Sequence, residues 1–341
     1  MSRDDFISTE ALRFSRRSVV DLTVESLDVF LTYRCGFRCS HCFLGSSLDS
    51  NEDMPFDSLR GILQNAHQWS TKHVTFLGGE PTMYPRFLDA VALARQEGYQ
   101  VRVVTNGHVS LRRYLDATSD RSVSICFSID GANAEIHDRI RIRGSFDTLL
   151  CNVSRARALG HRVAGIIAVS RDNSECIRET LVLCDEIGFE YVNLHYVTAR
   201  GFAKRSSVLS IDEWLRVCEV VEATARRIRM EVRLERTFFE ALPNRLNCAV
   251  RERSNLMFLP DGRVFMCMMF IDSEESHSYY WNGRSLVRNS SVLSEEVRVE
   301  EEHFVGCPAM EAVNPDVASE ARNRGLRIQC IYCKERPPAA P

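Results

Sequence analysis

A chain of 341 residues with 45% apolar and 26% charged side chains has the length for one large domain or two smaller ones, and enough apolar groups for a core. A formal net charge of −3 excludes the electrostatic footprint of a nucleic-acid or anionic-membrane binder, and no segment has the unbroken apolar length of a membrane span. The opening "MSRDDFISTEALRFSRRS" has charges where a signal peptide needs its apolar run. The expected location is therefore the cytoplasm, where thirteen cysteines are core thiols or metal ligands, not disulfides.

Residues 1–24 are expected to be an N-terminal extension. From about residue 25 short β-rich runs alternate with helical periods. "LDVFLTY" reads as a buried strand ending near Cys35, and "MPFDSLRGILQNA" as a helix with Leu59, Ile62, Leu63 and Ala66 on one face. "HVTFLGG" is a strand ending in glycines. "FLDAVALARQEG" is a helix with Gly98 at its C-terminal cap. "YQVRVVTNG" and "SVSICFSIDG" are the next strands. "SFDTLLCNVSRARALG" is a helix, "HRVAGIIAVS" a fifth strand, "SECIRETLVLCDEIG" a helix and "FEYVNLHYV" a sixth strand. "SIDEWLRVCEVVEATARRI" follows with Ser210 and Glu213 as a capping box.

This alternation predicts an α/β fold with a parallel sheet. Six consecutive units predict a partial (β/α)6 TIM-like barrel over residues 25–232, with chemistry at the C-terminal strand ends. A doubly wound sheet has the same periodicity. After about residue 235 the rhythm breaks. "NLMFLPDGRVFMC" is a hairpin turning at Asp261-Gly262, and an irregular polar stretch, "IDSEESHSYYWNGRSLVRNSS", follows. Residues 233–335, with Cys248, Cys267, Cys307, Cys330 and Cys333, are expected to form a small cysteine-rich domain organised by metal. The tail 336–341 is expected to be disordered. Cys126, Cys151, Cys176, Cys184 and Cys218 are expected to be buried small hydrophobes.

Cys35, Cys39 and Cys42 fall within eight residues after the first strand, in "YRCGFRCSHCF". Three thiolates leave one position of a metal site open, where four would close it. A zinc site completed by His41 is the plain alternative.

With that cysteine spacing, Phe43 after the last cysteine, "GGEP" (Gly78, Gly79, Glu80, Pro81), "TNG" (Thr105, Asn106) and "SIDG" (Ser128 to Gly131) at successive strand ends, residues 28 to about 205 resemble the radical S-adenosylmethionine (radical SAM) enzymes. The resemblance implies a [4Fe–4S] cluster on Cys35, Cys39 and Cys42 with one open iron. That iron holds SAM, which is cleaved to methionine and a 5′-deoxyadenosyl radical. It implies SAM contacts from "GGEP", with Glu80 accepting from the ammonium, from Ser128, from Arg141 as partner of the carboxylate, and more weakly from Asn173. The second domain resembles the Twitch/SPASM module, which implies an auxiliary [4Fe–4S] cluster on Cys248, Cys267, Cys330 and Cys333. A structural zinc is the alternative.

Cys307 is then left over, as core thiol, replacement ligand or hydrogen-atom donor. His195 and Tyr196 end the sixth strand, where a barrel exposes side chains to its site. "HSYYWNG" is a polar aromatic cluster that would line a sugar-like substrate or pack as a loop. The stretch before residue 35 is expected to be too short for the winged-helix domain that many peptide-modifying relatives carry. The expected function is oxidation of a small polar metabolite such as a sugar, aminocyclitol or nucleoside, with flavodoxin or ferredoxin as electron donor. The alternatives are epimerisation with Cys307 as donor, C–C or C–S bond formation, and peptide or protein modification.

Overall fold

The computed structural model describes residues 23–117, 121–234, 237–240, 254–271, 277–289 and 307–328. Seven parallel strands follow one another in chain order: β1 (Ser26–Phe30), β2 (His73–Leu77), β3 (Gln100–Thr105), β4 (Ser124–Ser128), β5 (Arg162–Val169), β6 (Tyr191–Tyr196) and β7 (Glu231–Leu234). Their order never reverses, so there is no switch point of the doubly wound kind. The sheet is that of a barrel, and β7 does not pair with β1, so the barrel is partial. The parallel series has one strand more than expected, and the expected boundary at 232 falls inside β7.

The helices sit between strands: α1 (Phe56–Ala66), α2 (Phe87–Gln96), α3 (Leu111–Ala117), α4 (Ala134–Ile140), α5 (Ser145–Ala158), α6 (Ile177–Glu186) and α7 (Ile211–Ala225). On α1, Leu59, Ile62, Leu63 and Ala66 are buried, as their spacing requires. Gly98, Gly160 and Gly188 follow α2, α5 and α6 with φ between 80° and 88°, the left-handed exit that glycine adopts without strain. On α5 the buried face is Phe146, Leu149, Asn152, Val153 and Ala156. Cys151 lies off that face and is exposed, so it is not the core thiol expected; Cys126 and Cys184 are. Cys176 and Cys218 are half-buried.

The capping box at α7 forms, with Ser210 and Glu213 each bonding the other's backbone. Arg171 grips the Glu213 carboxylate at 3.0 Å and holds its pKa down to about 2, from an ordinary 4.5. The stabilisation is therefore full above about 4.5 and is lost as pH falls towards 2. Glu213→Gln is expected to flatten that limb of an acid-denaturation curve, lowering stability above about pH 4.5, where the pairing is full, and leaving it little changed near pH 2. A wild-type acid limb in the variant would refute the assignment.

Beyond β7, β9 (Asn255–Phe258) pairs parallel with β1, Ser26 opposite Asn255. β8 (Phe238–Glu240) instead pairs with β13 (Leu326–Ile328). β10 (Arg263–Phe265) returns antiparallel from the Asp261-Gly262 turn, and β11 (Tyr279–Trp281) and β12 (Leu286–Arg288) add a second hairpin. The central three residues of "HSYYWNG", Tyr279 to Trp281, are thus strand. β9 to β12 share the barrel's sheet, while β8 and β13 form a separate pair; residues of both pack into its core. Trp69 stacks on Phe258, whose ring meets Trp281 edge-on. At Gly61 of α1 a Cβ would stand 2.8 Å from the Trp281 ring. Two short helices, α8 (Pro308–Val313) and α9 (Pro315–Asn323), complete the described part. Among the described residues no helix is long and apolar enough to cross a membrane.

Candidate active site

The cysteine loop leaves β1 and is fixed at once. Thr32 donates to Asp53 at 2.6 Å, and the Arg34 guanidinium bonds the same carboxylate at 3.0 Å. Alongside runs "GGEP". Gly79 N–H donates to Thr32 C=O at 2.8 Å, and Glu80 N–H to Arg34 C=O at 2.7 Å. A Cβ at Gly78 would lie 2.4 Å from the Thr32 carbonyl oxygen, and one at Gly79 2.5 Å from that of Arg34. Only glycine permits this approach. Gly79→Ala is expected to push the two segments apart and lower iron loading; full loading in the variant would show that the close approach is dispensable.

The Glu80 side chain is held by four donors. It is fully buried, and Oε1 accepts from Thr82 N–H (3.2 Å), Thr82 Oγ1 (2.5 Å) and Thr105 Oγ1 (2.8 Å), while Oε2 accepts from Asn106 N–H (2.9 Å). Burial pushes its pKa up, and those donors pull it back. It ties "GGEP" to "TNG". Pro81 begins the turn that follows. Asn106, so placed, points Nδ2 at Cys35 Sγ, 3.6 Å away.

Cys39 is buried, and Cys35 and Cys42 are half-buried. Cys35 Sγ also accepts from Phe37 N–H at 3.4 Å, and Arg141 Nη1 lies 3.9 Å from Cys39 Sγ. The Cys42 carbonyl accepts from Phe202 N–H at 2.9 Å. Burial pushes the Cys35 thiol up to about 12 and Cys39 up to about 11, and raises Cys42 as well. Among the described residues no three His, Cys, Asp or Glu side chains are close enough to hold a single metal ion. Yet the three thiols are near enough to raise one another's pKa. That spread suits a multi-iron cluster better than a zinc ion, and the N–H groups aimed at two of the sulfurs suit anionic ligands.

At the strand ends beyond, Ser128 closes β4, half-buried. Arg141 caps α4 and is only 7% exposed, its Nε bonded to Asp130 Oδ2 at 2.6 Å. That pairing changes the expected consequence of removing Arg141. It would leave a buried carboxylate unpaired, at a cost to the fold of about 3–5 kcal/mol, besides any loss of ligand. Asn173 is a loop clamp. Its Nδ2 donates to the Asp130 and Ala168 carbonyls, both at 3.0 Å, and its Oδ1 accepts from Ser170 N–H. With both amide protons committed it is not the free SAM contact expected.

A cavity of about 90 Å³ lies beside the cysteine loop, lined by His41, Phe43, His195, Thr198, Met268 and Met269 among others. Burial lowers His195 to about 4, so it is neutral at ordinary pH. Tyr196 is tied down, donating to the Leu209 carbonyl at 2.5 Å. Cys307 is buried in the apolar core at the start of α8 and does not line this cavity. A larger hollow of about 450 Å³ lies on the outer helices between Leu150, Arg157 and Ile187, away from the strand ends. Cys267 is half-buried next to Met268; Cys248, Cys330 and Cys333 lie outside the described residues. The residue that sequence reasoning passed over is Asp130, although it stands inside the quoted "SIDG".

A partial barrel with three thiols on the loop after its first strand, facing glycines after the second, is the fold and site of a radical SAM enzyme. Residues 29–184 match the Radical SAM superfamily, which implies SAM and a [4Fe–4S] cluster as cofactors. Mycofactocin maturase MftC of Mycolicibacterium smegmatis is 28% identical over 160 residues, 46% of this chain and 41% of MftC. The chain thus matches less than half the length of that relative. Streptococcus suis SuiB bound to precursor peptide SuiA has the same fold, with a TM-score of 0.65 at 15% identity over 74% of this chain and 62% of SuiB. So does anSMEcpe with bound AdoMet, with a TM-score of 0.61 at 15% identity over 82% of this chain and 83% of that one.

Proposed function

We propose that the chain is a radical SAM enzyme that modifies one side chain of a peptide, and that the cavity at the ends of β5 and β6 receives that side chain. The observation that carries this reading is the cavity's size and position. At about 90 Å³ it has room for several waters or one side chain, and Phe43 of the cysteine loop forms part of its wall. The precursor peptide bound to SuiB and the maturase activity in the name of MftC support the same reading. It replaces the small-metabolite oxidation expected from sequence. That oxidation stands as the second reading, favoured by the polar lining of His41, His195, Thr198 and Arg200.

Cys35, Cys39 and Cys42 would hold the cluster, and the Gly78–Gly79 backbone, Ser128 and Arg141 would receive SAM. Bound there, cluster and SAM supply a one-electron reductive cleavage that yields a radical able to abstract hydrogen. Met268, Met269 and Ile271 form an apolar part of the cavity wall. His195, held neutral by burial, is placed to accept a proton from substrate. Cys267, with Cys248, Cys330 and Cys333, would hold the auxiliary cluster, and a small electron-transfer protein would supply the electron.

Reduced, reconstituted enzyme with SAM is offered a mixed library of synthetic peptides and, separately, aminocyclitols and sugars. The expected result is peptide-dependent 5′-deoxyadenosine and a peptide of altered mass. His195→Gln should still form 5′-deoxyadenosine but make at least tenfold less product. Turnover of the polyols with inert peptides would replace the first reading by the second.

A further inference from the structure

One carboxylate joins the elements around the cysteine loop. Asp130, just after β4, is fully buried. Its Oδ2 accepts from Arg141 Nε at 2.6 Å and lies 3.7 Å from His41 Nε2, and its Oδ1 accepts from Ala168 N–H of β5 at 2.9 Å. Its backbone N–H donates to His137 Nδ1 of α4 at 3.2 Å, and its carbonyl accepts from Asn173. The next residue has to be glycine, since a Cβ at Gly131 would lie 2.8 Å from the His137 nitrogen. Asp130 therefore cannot shift, and neither can the guanidinium bonded to it. Nε is spent on Asp130, which turns Nη1 towards Cys39 Sγ at 3.9 Å, within hydrogen-bonding reach of sulfur.

We propose that Asp130 is a positioning residue that locks Arg141 so that its guanidinium donates an N–H···S hydrogen bond to Cys39, and that this contact raises the reduction potential of the cluster held there. Reduction adds negative charge to a cluster and its thiolates. A donor and a positive charge fixed at a ligand sulfur stabilise the reduced form more than the oxidised one. Asp130 contributes the opposite charge, but it stands behind the guanidinium, so the nearer positive end dominates at the sulfur. The inference rests on Cys35, Cys39 and Cys42 as the ligands, which iron and sulfide content checks separately, and it is independent of the substrate.

The test uses the reconstituted full chain. In wild type labelled with ¹⁵N-arginine, pulsed EPR of the reduced cluster, identified as the signal that SAM perturbs, is expected to show ¹⁵N coupling. Its absence overturns the proposal whatever any variant does. Asp130→Asn alone is expected to weaken that coupling at full iron content; an undiminished coupling would remove the positioning role. The double variant Asp130→Asn/Arg141→Met keeps the local net charge at zero while removing the donor. It is expected to lose the coupling and shift the midpoint to lower potential. An unchanged midpoint at full iron content would overturn the link to potential.

Discussion

Replacing Cys35, Cys39 or Cys42 by alanine is expected to abolish 5′-deoxyadenosine formation, the largest effect any single change in this chain should have. The three thiols stand on one short loop, and no fourth Cys or His is within reach to make a single-ion site with them among the described residues. A cluster on two thiolates has lost a third of its protein ligands and the geometry that leaves one iron for SAM. The effect should be local, because Cys35 and Cys42 are only half-buried and the loop is tied independently through Thr32, Arg34 and Gly79. Circular dichroism and thermal unfolding of each variant should therefore stay close to those of the wild-type apoprotein. SAM cleavage at wild-type rate in any of the three would remove the assignment of the site.

Glu80→Ala is expected to act through the fold instead. It removes the acceptor of two backbone donors, Thr82 N–H and Asn106 N–H, in a place water does not reach. The Thr82 hydroxyl keeps Ser110 Oγ at 2.6 Å as a partner, so the backbone groups carry most of the cost. Leaving each unsatisfied costs about 1–3 kcal/mol, so denaturant unfolding of the apoprotein should show a loss of about 2–6 kcal/mol. If Glu80 were instead a direct partner of the SAM ammonium, the variant would keep its stability and lose SAM affinity alone. The two outcomes separate in a paired measurement of unfolding and SAM binding.

How far the sequence could be read depended on how local each signal was. The βα units were legible because the longer helices carry an apolar stripe and three of them, α2, α5 and α6, end in a glycine, both properties of a dozen adjacent residues. α3 was missed because in "LRRYLDA" only Leu111, Tyr114 and Leu115 face inward, too few for a period. The β11–β12 hairpin was missed because each strand has three residues, a single alternation, although Asn282-Gly283 was the available turn signal. At the site, the spacing of three cysteines is itself a local pattern and was read directly. The direction of a side chain is not. "GGEP" names Glu80 but does not say that its carboxylate is bonded to Thr105 and Asn106, and "SIDG" reads as a turn until Arg141, eleven residues on, is seen bonded to Asp130. Asn173 failed for the same reason, since its partners are backbone carbonyls that no motif specifies.

The pairing of β9 with β1 also bears on how the chain is made. A ribosome delivers β1 about 225 residues before the strand that covers its free edge. Until then the first strand of the barrel presents a row of unpaired N–H and C=O groups. Contacts of such sequence separation slow folding, because the loop must close before the contact repays it. The nascent barrel thus has a long interval in which its first edge is open to a neighbouring chain. Synthesis rate and chaperone supply, rather than equilibrium stability, would then govern how much of this enzyme reaches the state able to take up iron and sulfide.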